Sequence, residues 1–294
     1  MRFRDFIEVD NHLFSVLKGG DKIICVLRYV PNGDRVRGKN TYRKIKHSEA
    51  YRYLREFYND GLHYIPLERV EKHYDAMKLL PEICERDECV KKVANFFNLE
   101  KMGVTGSRLI GLSKEDSDVD FVLYDECFNV GREKIRKGLE KGDLESPDLE
   151  KVYEKRNVAL PYEIFVVHER RKYNKAIIDG VSFDILYAGR DANIVKGEKV
   201  GKVEVRGKVI QARPFEYPAV YKLPDCDILC YTHTFVGQAF EGEFIEARGI
   251  LEIINGRKVV IIGSRRDIED EYVVSLTLLE REGMIDDFEM WKRI

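Results

Sequence analysis

The sequence predicts an α+β protein, and three observations support that fold class. Residues 12–30 form two apolar, β-branched runs around a turn at residues 18–21, which is typical of a β-hairpin. Residues 48–97 show helical periodicity. Residues 202–280 carry several strand patterns and almost no helical period, so they indicate a small antiparallel β module, either a barrel or a sandwich.

Three helices are expected in the periodic part of the chain, because a residue suited to a helix end stands at each boundary. The segments and their boundary residues are 48–61 with Ser48 and Gly61, 66–80 with Pro66, and 81–97 with Pro81. Farther along, residues 127–157 indicate one or two polar helices.

Two further hairpins are predicted from their turn dipeptides. Asp179-Gly180 joins the β-rich runs of residues 175–189 and suits a tight type I′ turn, and Asn255-Gly256 joins the runs of residues 249–264. These patterns suggest three parts of the chain. They are an N-terminal hairpin and helix region, residues 1–64, a central domain, residues 65–195, and a C-terminal β module, residues 196–294.

The composition excludes several classes of protein. With 50 basic and 52 acidic side chains among 294 residues, the net charge of −2 argues against a surface that binds nucleic acid throughout. The first residues lack the apolar core of a signal peptide, and no run reaches the roughly 18 apolar residues of a membrane span. We therefore expect a cytoplasmic protein with no membrane partner.

The six cysteines do not indicate a disulfide framework in a chain of this length. The tightest cluster, Cys226, Cys230 and His233, lacks a fourth ligand at a matching interval. Small core cysteines are the favoured interpretation, and a zinc site is the alternative.

Two aspartates lie one residue apart in the run "DVDFVLY". Because side chains alternate faces along a strand, Val119, Phe121 and Leu123 point into the core while Asp118 and Asp120 share the other face. Two neighbouring carboxylates repel each other unless a cation lies between them. Mg²⁺ suits this position, since it prefers oxygen ligands and is usually held by one or two carboxylates plus substrate phosphates.

The bend Gly106-Ser107 precedes this strand and offers a place for phosphate. "KMGVTG" indicates a short strand that ends at Gly106, and "SRLIG" indicates the start of a helical turn. Glycine allows a close backbone approach, and helix N-termini present N–H groups that favour phosphate. Ser107 adds a hydroxyl group, and Arg108 and Lys114 add positive charge. The bend and the aspartates together predict a site for a triphosphate and its metal ions.

The second hairpin offers a third carboxylate. Nucleotidyl transfer by two metal ions about 3.5–4 Å apart usually needs a third acid. In "DGVSFDILYAG", strand alternation places Asp184 on the face opposite the apolar residues. If this strand pairs beside Asp118 and Asp120, Asp184 completes the metal site and polarises the acceptor hydroxyl. Glu163 and Asp179 are the alternatives for this position, although Asp179 fits a turn better.

These residues resemble the DNA polymerase β nucleotidyltransferase superfamily. The stretch "GSRLIGLSKEDSDVDF" is most similar to the minimal prokaryotic branch, which often carries Arg after Gly-Ser, then a Gly, then a Ser directly before the acidic pair. The whole chain also resembles archaeal proteins described only as predicted nucleotidyltransferases. The matching residues are Gly106, Ser107, Arg108, Gly111, Ser117, Asp118, Asp120 and Asp184.

The resemblance implies a palm-like mixed sheet with helices on one face, two Mg²⁺ or Mn²⁺ ions, and an NTP donor such as ATP. A nucleoside monophosphate would pass to a hydroxyl acceptor on an RNA end, a protein or a small molecule, and pyrophosphate would leave. The preferred NTP and the oligomeric state are left open by the sequence.

A basic segment near the N-terminus is the candidate contact for a nucleic-acid acceptor. Residues 35–46 hold six basic residues, one tyrosine and no acid, which suits a phosphate backbone and one stacked base. A solvated basic loop packed near acidic helices is the favoured alternative for this segment, and it is favoured more strongly for the shorter basic run at residues 168–173. The candidate contacts are Arg35, Arg37, Lys39, Tyr42, Arg43, Lys44 and Lys46.

Two functions other than catalysis stay open. The chain could keep the fold and serve as a nucleotide-binding, RNA-binding or antitoxin-like partner, or it could bind RNA without an enzymatic role. The three acids favour the enzyme, because carboxylates facing a partly buried site are costly to keep without a cation.

Overall fold

The structure, a computed structural model, describes residues 1–156, 158–189, 191–263 and 270–293. The chain divides into two compact units. The first unit contains Met1–Pro147 and Asn174–Ala192, and the second contains Asp148–Tyr173 and Asn193–Ile294.

The predicted three-part division cuts the chain differently. Residues 1–64 share a unit with most of the predicted central domain, and Asp148–Tyr173 belongs to the second unit. The division at residues 64 and 195 stays a prediction about how the chain is organised.

An N-terminal β-sheet opens the first unit. Its strands are β1 (Phe6–Val9), β2 (His12–Lys18), β3 (Lys22–Arg37), β4 (Asn40–Lys44), β5 (Tyr58–Asn59), β6 (Leu62–Pro66) and β7 (Lys72–Tyr74). Their order is β5-β6-β3-β2-β1-β7, and β4 pairs with the later part of β3. The predicted hairpin of residues 12–30 is confirmed as the pair β2 and β3. Buried apolar residues such as Ile7, Phe14, Ile23 and Leu27 form the core of this sheet.

Two of the three predicted helices are wrong. Residues 48–61 form short 3₁₀ turns followed by β5, and residues 66–80 contain another 3₁₀ turn and β7. Strand pairing is the physical reason, because Tyr58 lies opposite His63 of β6 and Tyr74 lies opposite Phe6 of β1. Such pairing within a sheet outweighs a local helical pattern.

The third predicted helical segment is confirmed as two helices, α1 (Leu80–Arg86) and α2 (Glu88–Phe97), and they lead into a mixed β-sheet. The sheet strands are β8 (Met102–Val104), β9 (Val119–Leu123), β10 (Lys175–Ile178) and β11 (Val181–Tyr187), with α3 (Gly106–Leu109) and α4 (Cys127–Lys141) between β8 and β10. Their order is β10-β11-β9-β8. Strands β9 and β11 are parallel and the other neighbours are antiparallel. The turn at Asp179-Gly180 is confirmed, with positive φ at both residues.

Helices α2 and α4 cover one face of this mixed sheet. The Phe97 ring of α2 meets Phe183 edge-on at a centroid distance of 5.5 Å and lies 6.1 Å from Phe121. Gly131 of α4 lies so close to Leu123 that a Cβ atom would be 2.3 Å from its Cδ1 atom. The α+β fold with a mixed sheet and helices on one face therefore agrees with the sequence prediction.

The second unit combines helices with a β-sheet of mostly antiparallel strands. Its elements are α5 (Leu149–Arg156), α6 (Tyr162–Arg170), β12 (Glu198–Lys208), β13 (Gln211–Arg213), β14 (Ala219–Lys222), β15 (Asp227–Cys230), β16 (Phe244–Ile254), β17 (Arg257–Ile262), β18 (Tyr272–Ser275), α7 (Leu276–Arg281) and α8 (Ile285–Trp291). The strand order is β12-β16-β17-β15-β14-β13, and β18 pairs with β16. The predicted hairpin at Asn255-Gly256 is confirmed as β16 and β17.

One detail of the second unit differs from the prediction. Strands β15 and β17 run parallel, so the C-terminal module is not purely antiparallel.

The predicted polar helices of residues 127–157 are confirmed as α4 and α5. Asn157 and Ser264, at the ends of two predicted segments, lie outside the described residues. Within the described part of the chain, no helix has the length and apolar character needed to cross a bilayer.

Candidate active site

Three charged side chains form a row across the mixed sheet. Asp120 on β9 lies opposite Asp184 on the parallel strand β11, and Asp184 lies opposite Lys175 on the antiparallel strand β10. Residues paired across neighbouring strands share a face, so these side chains lie on the face away from α2 and α4. The Lys175 ammonium group donates a hydrogen bond to Asp184 Oδ2.

Asp118 adds another carboxylate at the start of β9. It lies two residues before Asp120, so strand alternation places both on one face. Burial and the negative charges of Asp184 and Asp118 raise the pKa of Asp120 to about 6, against the opposing positive charges of Lys175 and Lys44. Added positive charge beside these carboxylates would stabilise their ionised forms.

Gly106 brings the backbone against the Asp120 carboxylate. Its φ is +68°, and a Cβ atom at this position would lie 2.4 Å from Asp120 Oδ2. The neighbouring Thr105 N–H group donates to the Asp120 carbonyl oxygen at 2.8 Å. Both the backbone conformation and the close approach therefore require glycine. The structure thus brings the Gly-Ser bend and the carboxylates together.

Ser107 contacts a residue that the sequence reasoning missed. Its side chain is hydrogen-bonded to Tyr29 of β3, a buried residue. Burial raises the pKa of Tyr29 above its ordinary value, although the positive charge of Arg35 opposes this shift. Tyr29 lies opposite Lys44 of β4, whose charge reaches Asp120. The contact between Tyr29 and Ser107 joins residues that are distant in sequence, and no local sequence signal reports it.

The N-terminal sheet also holds the loop that follows the Gly-Ser bend. Arg35 Nη1 donates to the Leu112 carbonyl oxygen at 2.5 Å. Lys114 Nζ lies 2.5 Å from Asp34 Oδ2, and its side chain is 46% exposed. The N-terminal sheet is therefore part of the structure that positions the candidate site, and Lys114 lies at its more exposed end.

Arg108, a predicted nucleotide ligand, is buried, with its side chain 7% exposed. Its guanidinium group donates to Asp87 Oδ2 at 2.7 Å and to the carbonyl oxygens of Ser117 and Asp118 at 2.6 and 3.4 Å. These bonds fix the backbone immediately before β9. The geometry favours a positioning role for Arg108 over direct contact with phosphate.

The two alternatives to Asp184 lie elsewhere. Asp179 is at the turn of its hairpin with φ +46°, and Lys92 Nζ lies 3.3 Å from its carboxylate. Glu163 is in the first turn of α6, in the second unit. Asp184 is thus the acid that the sheet register places beside Asp120.

A different cluster has the tightest spacing of possible metal ligands. Among the described residues, Asp5, His73 and Asp75 are the set whose ligand atoms all lie within 4.8 Å of one another. Asp5 already accepts hydrogen bonds from the N–H groups of Arg2 and Ala76 at 2.8 and 3.0 Å, and its Oδ2 lies 2.7 Å from His73 Nε2. These contacts explain the cluster as a brace for the backbone.

The cysteine cluster has the properties of core residues. Cys226 and Cys230 are buried, and burial raises the pKa of both thiols. Cys230 Sγ donates to the Thr232 carbonyl oxygen at 3.4 Å, while His233 is exposed and stacks on Tyr217. This arrangement favours the core interpretation over a zinc site.

The basic segment at residues 35–46 is not a solvated loop, and the expectation that Tyr42 stacks a base is wrong. Tyr42 is fully buried, and Arg37 donates to both Tyr42 and Glu8 at 2.6 Å. Arg43 pairs with Glu49 at 3.2 Å. Among the basic residues of this segment, Lys39, Lys44 and Lys46 are exposed. In the run at residues 168–173, the residues His168, Glu169 and Lys172 are buried.

Comparisons with known proteins agree with this geometry. A family model described as "Nucleotidyltransferase domain" matches residues 78–174. The chain is also similar to "Uncharacterized protein MJ1086" of Methanocaldococcus jannaschii, with 31% identity in an alignment that covers 93% of this chain and 98% of that protein. The chain belongs to the nucleotidyltransferase domain family. The matched segment contains Gly106, Ser107, Asp118 and Asp120, and it ends before Asp184.

Proposed function

We propose that the protein transfers a nucleoside monophosphate from an NTP to a hydroxyl acceptor, with release of pyrophosphate. The main support is the in-register pairing of Asp120 with Asp184, opposite a Gly106 backbone that lies against the Asp120 carboxylate. Membership of the nucleotidyltransferase family supports the reaction class. The predicted catalytic residues Asp118, Asp120 and Asp184 are kept in this proposal.

The donor set fits Mg²⁺ or Mn²⁺. Both ions prefer oxygen ligands, and the carboxylates of Asp118, Asp120 and Asp184 lie on one face of the sheet, where their repulsion raises the pKa of Asp120. When bound, two such ions would neutralise phosphate charge and activate the acceptor oxygen. These three aspartates are the residues that would hold them.

Other residues of the chain would bind the triphosphate and orient the acceptor. The Gly106 backbone lies against the Asp120 carboxylate and Ser107 follows it in the bend, so both would contact phosphate. Lys44, whose charge reaches Asp120, and Lys114, in the loop after the bend, would add positive charge. Asp184 lies on β11, on the other side of Asp120 from the Gly-Ser bend that would hold the triphosphate. From there it would accept the hydroxyl proton of the acceptor.

The acceptor is proposed only as a hydroxyl group on an RNA end, a protein or a small molecule. An RNA acceptor would have to use the exposed residues Lys39, Lys44 and Lys46, because Tyr42 is buried. A cytoplasmic location and ATP as the donor are further parts of the proposal.

A transfer assay tests the proposed function. The protein is incubated with Mg²⁺ and each α-labelled NTP, and pyrophosphate release is measured together with label transferred to protein, total RNA and a small-molecule extract. Asp118→Asn should reduce release to background. Asp125→Asn is the matched control, because Asp125 follows the same strand but forms an exposed pair with Lys101 at 3.3 Å. Undiminished release in Asp118→Asn would contradict the proposed site.

The same assay separates catalysis from a binding role. A nucleotide-binding or antitoxin-like partner would retain NTP without releasing pyrophosphate. RNA binding without catalysis would weaken steeply with salt and would be unaffected by Asp118→Asn.

A further inference from the structure

Lys175 forms an ion pair with the third carboxylate of the candidate site. Its ammonium group donates to Asp184 Oδ2, and the two residues are cross-strand partners on β10 and β11. Their side chains are 10% and 24% exposed, so water screens the pair only in part. Lys175 lies one residue beyond the segment that the family model matches.

An ordinary surface pair in the same part of the molecule provides a comparison. Lys92 Nζ lies 3.3 Å from Asp179 Oδ2, at the tip of the hairpin, and the two side chains are 38% and 73% exposed. Exposed pairs of this kind contribute little to stability. The Lys175 pair differs in its burial and in its partner, an acid that lies opposite Asp120.

The charge of Lys175 affects how the row of side chains across the mixed sheet would bind metal. Asp118, Asp120 and Asp184 bring three negative charges to one face, and Lys175 offsets one of them. Its ammonium group also occupies Oδ2 of Asp184, an oxygen that a divalent ion would contact. The Lys175 ammonium group and a divalent ion on the same carboxylate repel each other, so the ion pair disfavours metal binding at Asp184 as long as it stays formed.

We propose that Lys175 competes with the divalent metal for Asp184, so that this carboxylate binds metal tightly only when the nucleotide also binds. The inference rests on the proposed function and specifies the order in which metal and nucleotide bind. The phosphates of an NTP offer Lys175 a replacement anion, and a lysine ammonium group is a well-suited phosphate contact. Lys175 is thus a positioning residue that keeps Asp184 ordered and holds back metal until substrate is present.

Mn²⁺ binding to the nucleotide-free protein tests the inference. Lys175→Met should tighten Mn²⁺ binding by about tenfold or more, because it removes the competing cation and leaves Asp184 unpaired. A non-hydrolysable NTP analogue should increase Mn²⁺ affinity strongly in the wild-type protein and much less in Lys175→Met. Lys175→Arg should keep the wild-type behaviour. Electron paramagnetic resonance of free Mn²⁺ measures these affinities without any turnover.

Two controls keep the result specific. Lys92→Met removes a lysine from the exposed pair near the same hairpin and should leave Mn²⁺ affinity unchanged. In an Asp184→Asn background, Lys175→Met should change Mn²⁺ affinity much less, because only the effect of its charge on Asp120 remains. If Lys175→Met does not fold, Lys175→Gln, which keeps a polar group of similar length, is measured in its place.

Unchanged or weaker Mn²⁺ binding in the folded Lys175 variant overturns the inference. The outcome is independent of the transfer assay. If the wild-type protein releases no pyrophosphate from any NTP, the proposed function fails, while the Mn²⁺ comparison still decides whether Lys175 competes for Asp184.

Discussion

At the scale of single residues, the candidate site combines groups from distant parts of the chain. Asp118 directly precedes strand β9 and Asp120 lies within it, Asp184 lies on the parallel neighbour β11, and Lys44 belongs to the N-terminal sheet. Burial, together with the negative charges of Asp184 and Asp118, raises the pKa of Asp120. The positive charges of Lys175 and Lys44 oppose this shift, and positive charge suits an anionic substrate.

Lys44→Gln tests whether the N-terminal sheet binds the triphosphate. The charge of Lys44 reaches Asp120, and its cross-strand partner Tyr29 contacts Ser107. Losing one charge-assisted phosphate contact should weaken binding of the Mg²⁺ complex of an NTP roughly tenfold, and binding of the corresponding nucleoside much less. Isothermal titration calorimetry measures both affinities.

Lys39→Gln is the control for this prediction, since Lys39 is exposed near the tip of the same β3–β4 hairpin. Equal losses in both variants, or no loss in Lys44→Gln, would show that Lys44 does not contact the triphosphate.

At the scale of elements, the bend between β8 and β9 explains why this loop carries its particular residues. Gly106 has positive φ and lies against Asp120, and Arg108 ties the far end of the loop to Asp87. The loop is therefore held at both ends beside the carboxylates. Its backbone geometry is as much a part of the site as the acidic side chains.

Gly106→Ala should abolish most activity while the protein stays folded. A Cβ atom would lie 2.4 Å from Asp120 Oδ2, so the bend or the carboxylate must move. A misplacement of about 1 Å at a reacting group reduces the rate on the order of 100-fold. Pyrophosphate release and circular dichroism together measure the effect.

Gly142→Ala is a matched control for the free-energy cost of placing alanine at a positive φ. Gly142 also has positive φ, at the end of α4, but a Cβ atom there meets nothing within 4 Å. Both variants should lose about 1–2 kcal/mol of stability, and only Gly106→Ala should lose activity. Similar activity in the two variants would contradict the close-approach explanation.

Arg108→Met should destabilise the first unit by roughly 3 kcal/mol, because it leaves Asp87 and two carbonyl oxygens without their buried cationic partner. Arg86→Met removes an exposed pair with Glu82 and should cost less than about 0.5 kcal/mol. Urea unfolding followed by far-ultraviolet circular dichroism compares the two. A small effect of Arg108→Met would remove the positioning role assigned to this residue.

Much of the mixed sheet could be predicted from the sequence, because its signals are local. The alternation around Asp120 and Asp184 and the Asp179-Gly180 turn follow from strand period and turn chemistry. Tyr29 and Lys175 were not predicted, since their positions depend on which strands pair and in what register. The false helices at residues 48–61 and 66–80 have the same cause.

At the scale of the whole molecule, unfolding of the second unit can be followed by the fluorescence of one residue. The second unit contains Trp291, the single tryptophan of the chain, whose ring stacks on Phe288. Tryptophan fluorescence therefore reports unfolding of the second unit, apart from the candidate site in the first unit.

His168 predicts how the stability of the second unit depends on pH. It is fully buried, its Nδ1 bonds to the Ile164 carbonyl oxygen at 2.7 Å, and its Nε2 accepts from the Ser275 N–H group at 2.9 Å. Burial and the positive charges of Arg171 and Lys172 lower the pKa of His168 to about 3. A proton on Nε2 would face the Ser275 N–H group, so the native state keeps the ring neutral.

The unfolded chain binds this proton near pH 6.5, so the stability contributed by neutral His168 is present above that pH and is lost as the pH falls toward 3. The loss should reach roughly 3 kcal/mol at pH 4. Urea unfolding followed by Trp291 fluorescence at pH 7 and pH 4 measures it. His168→Gln should be less stable at pH 7 but lose less on acidification. An identical pH dependence in both proteins would rule out His168 as the cause.

The most direct test of the account is a crystal structure with Mn²⁺ and a non-hydrolysable NTP analogue, with the metal located by its anomalous signal. We predict two Mn²⁺ ions in contact with carboxylate oxygens of Asp118, Asp120 and Asp184, and triphosphate oxygens beside Gly106 and Ser107. Mn²⁺ at Asp5, His73 and Asp75 alone, or a nucleotide bound away from the Gly-Ser bend, would contradict the account.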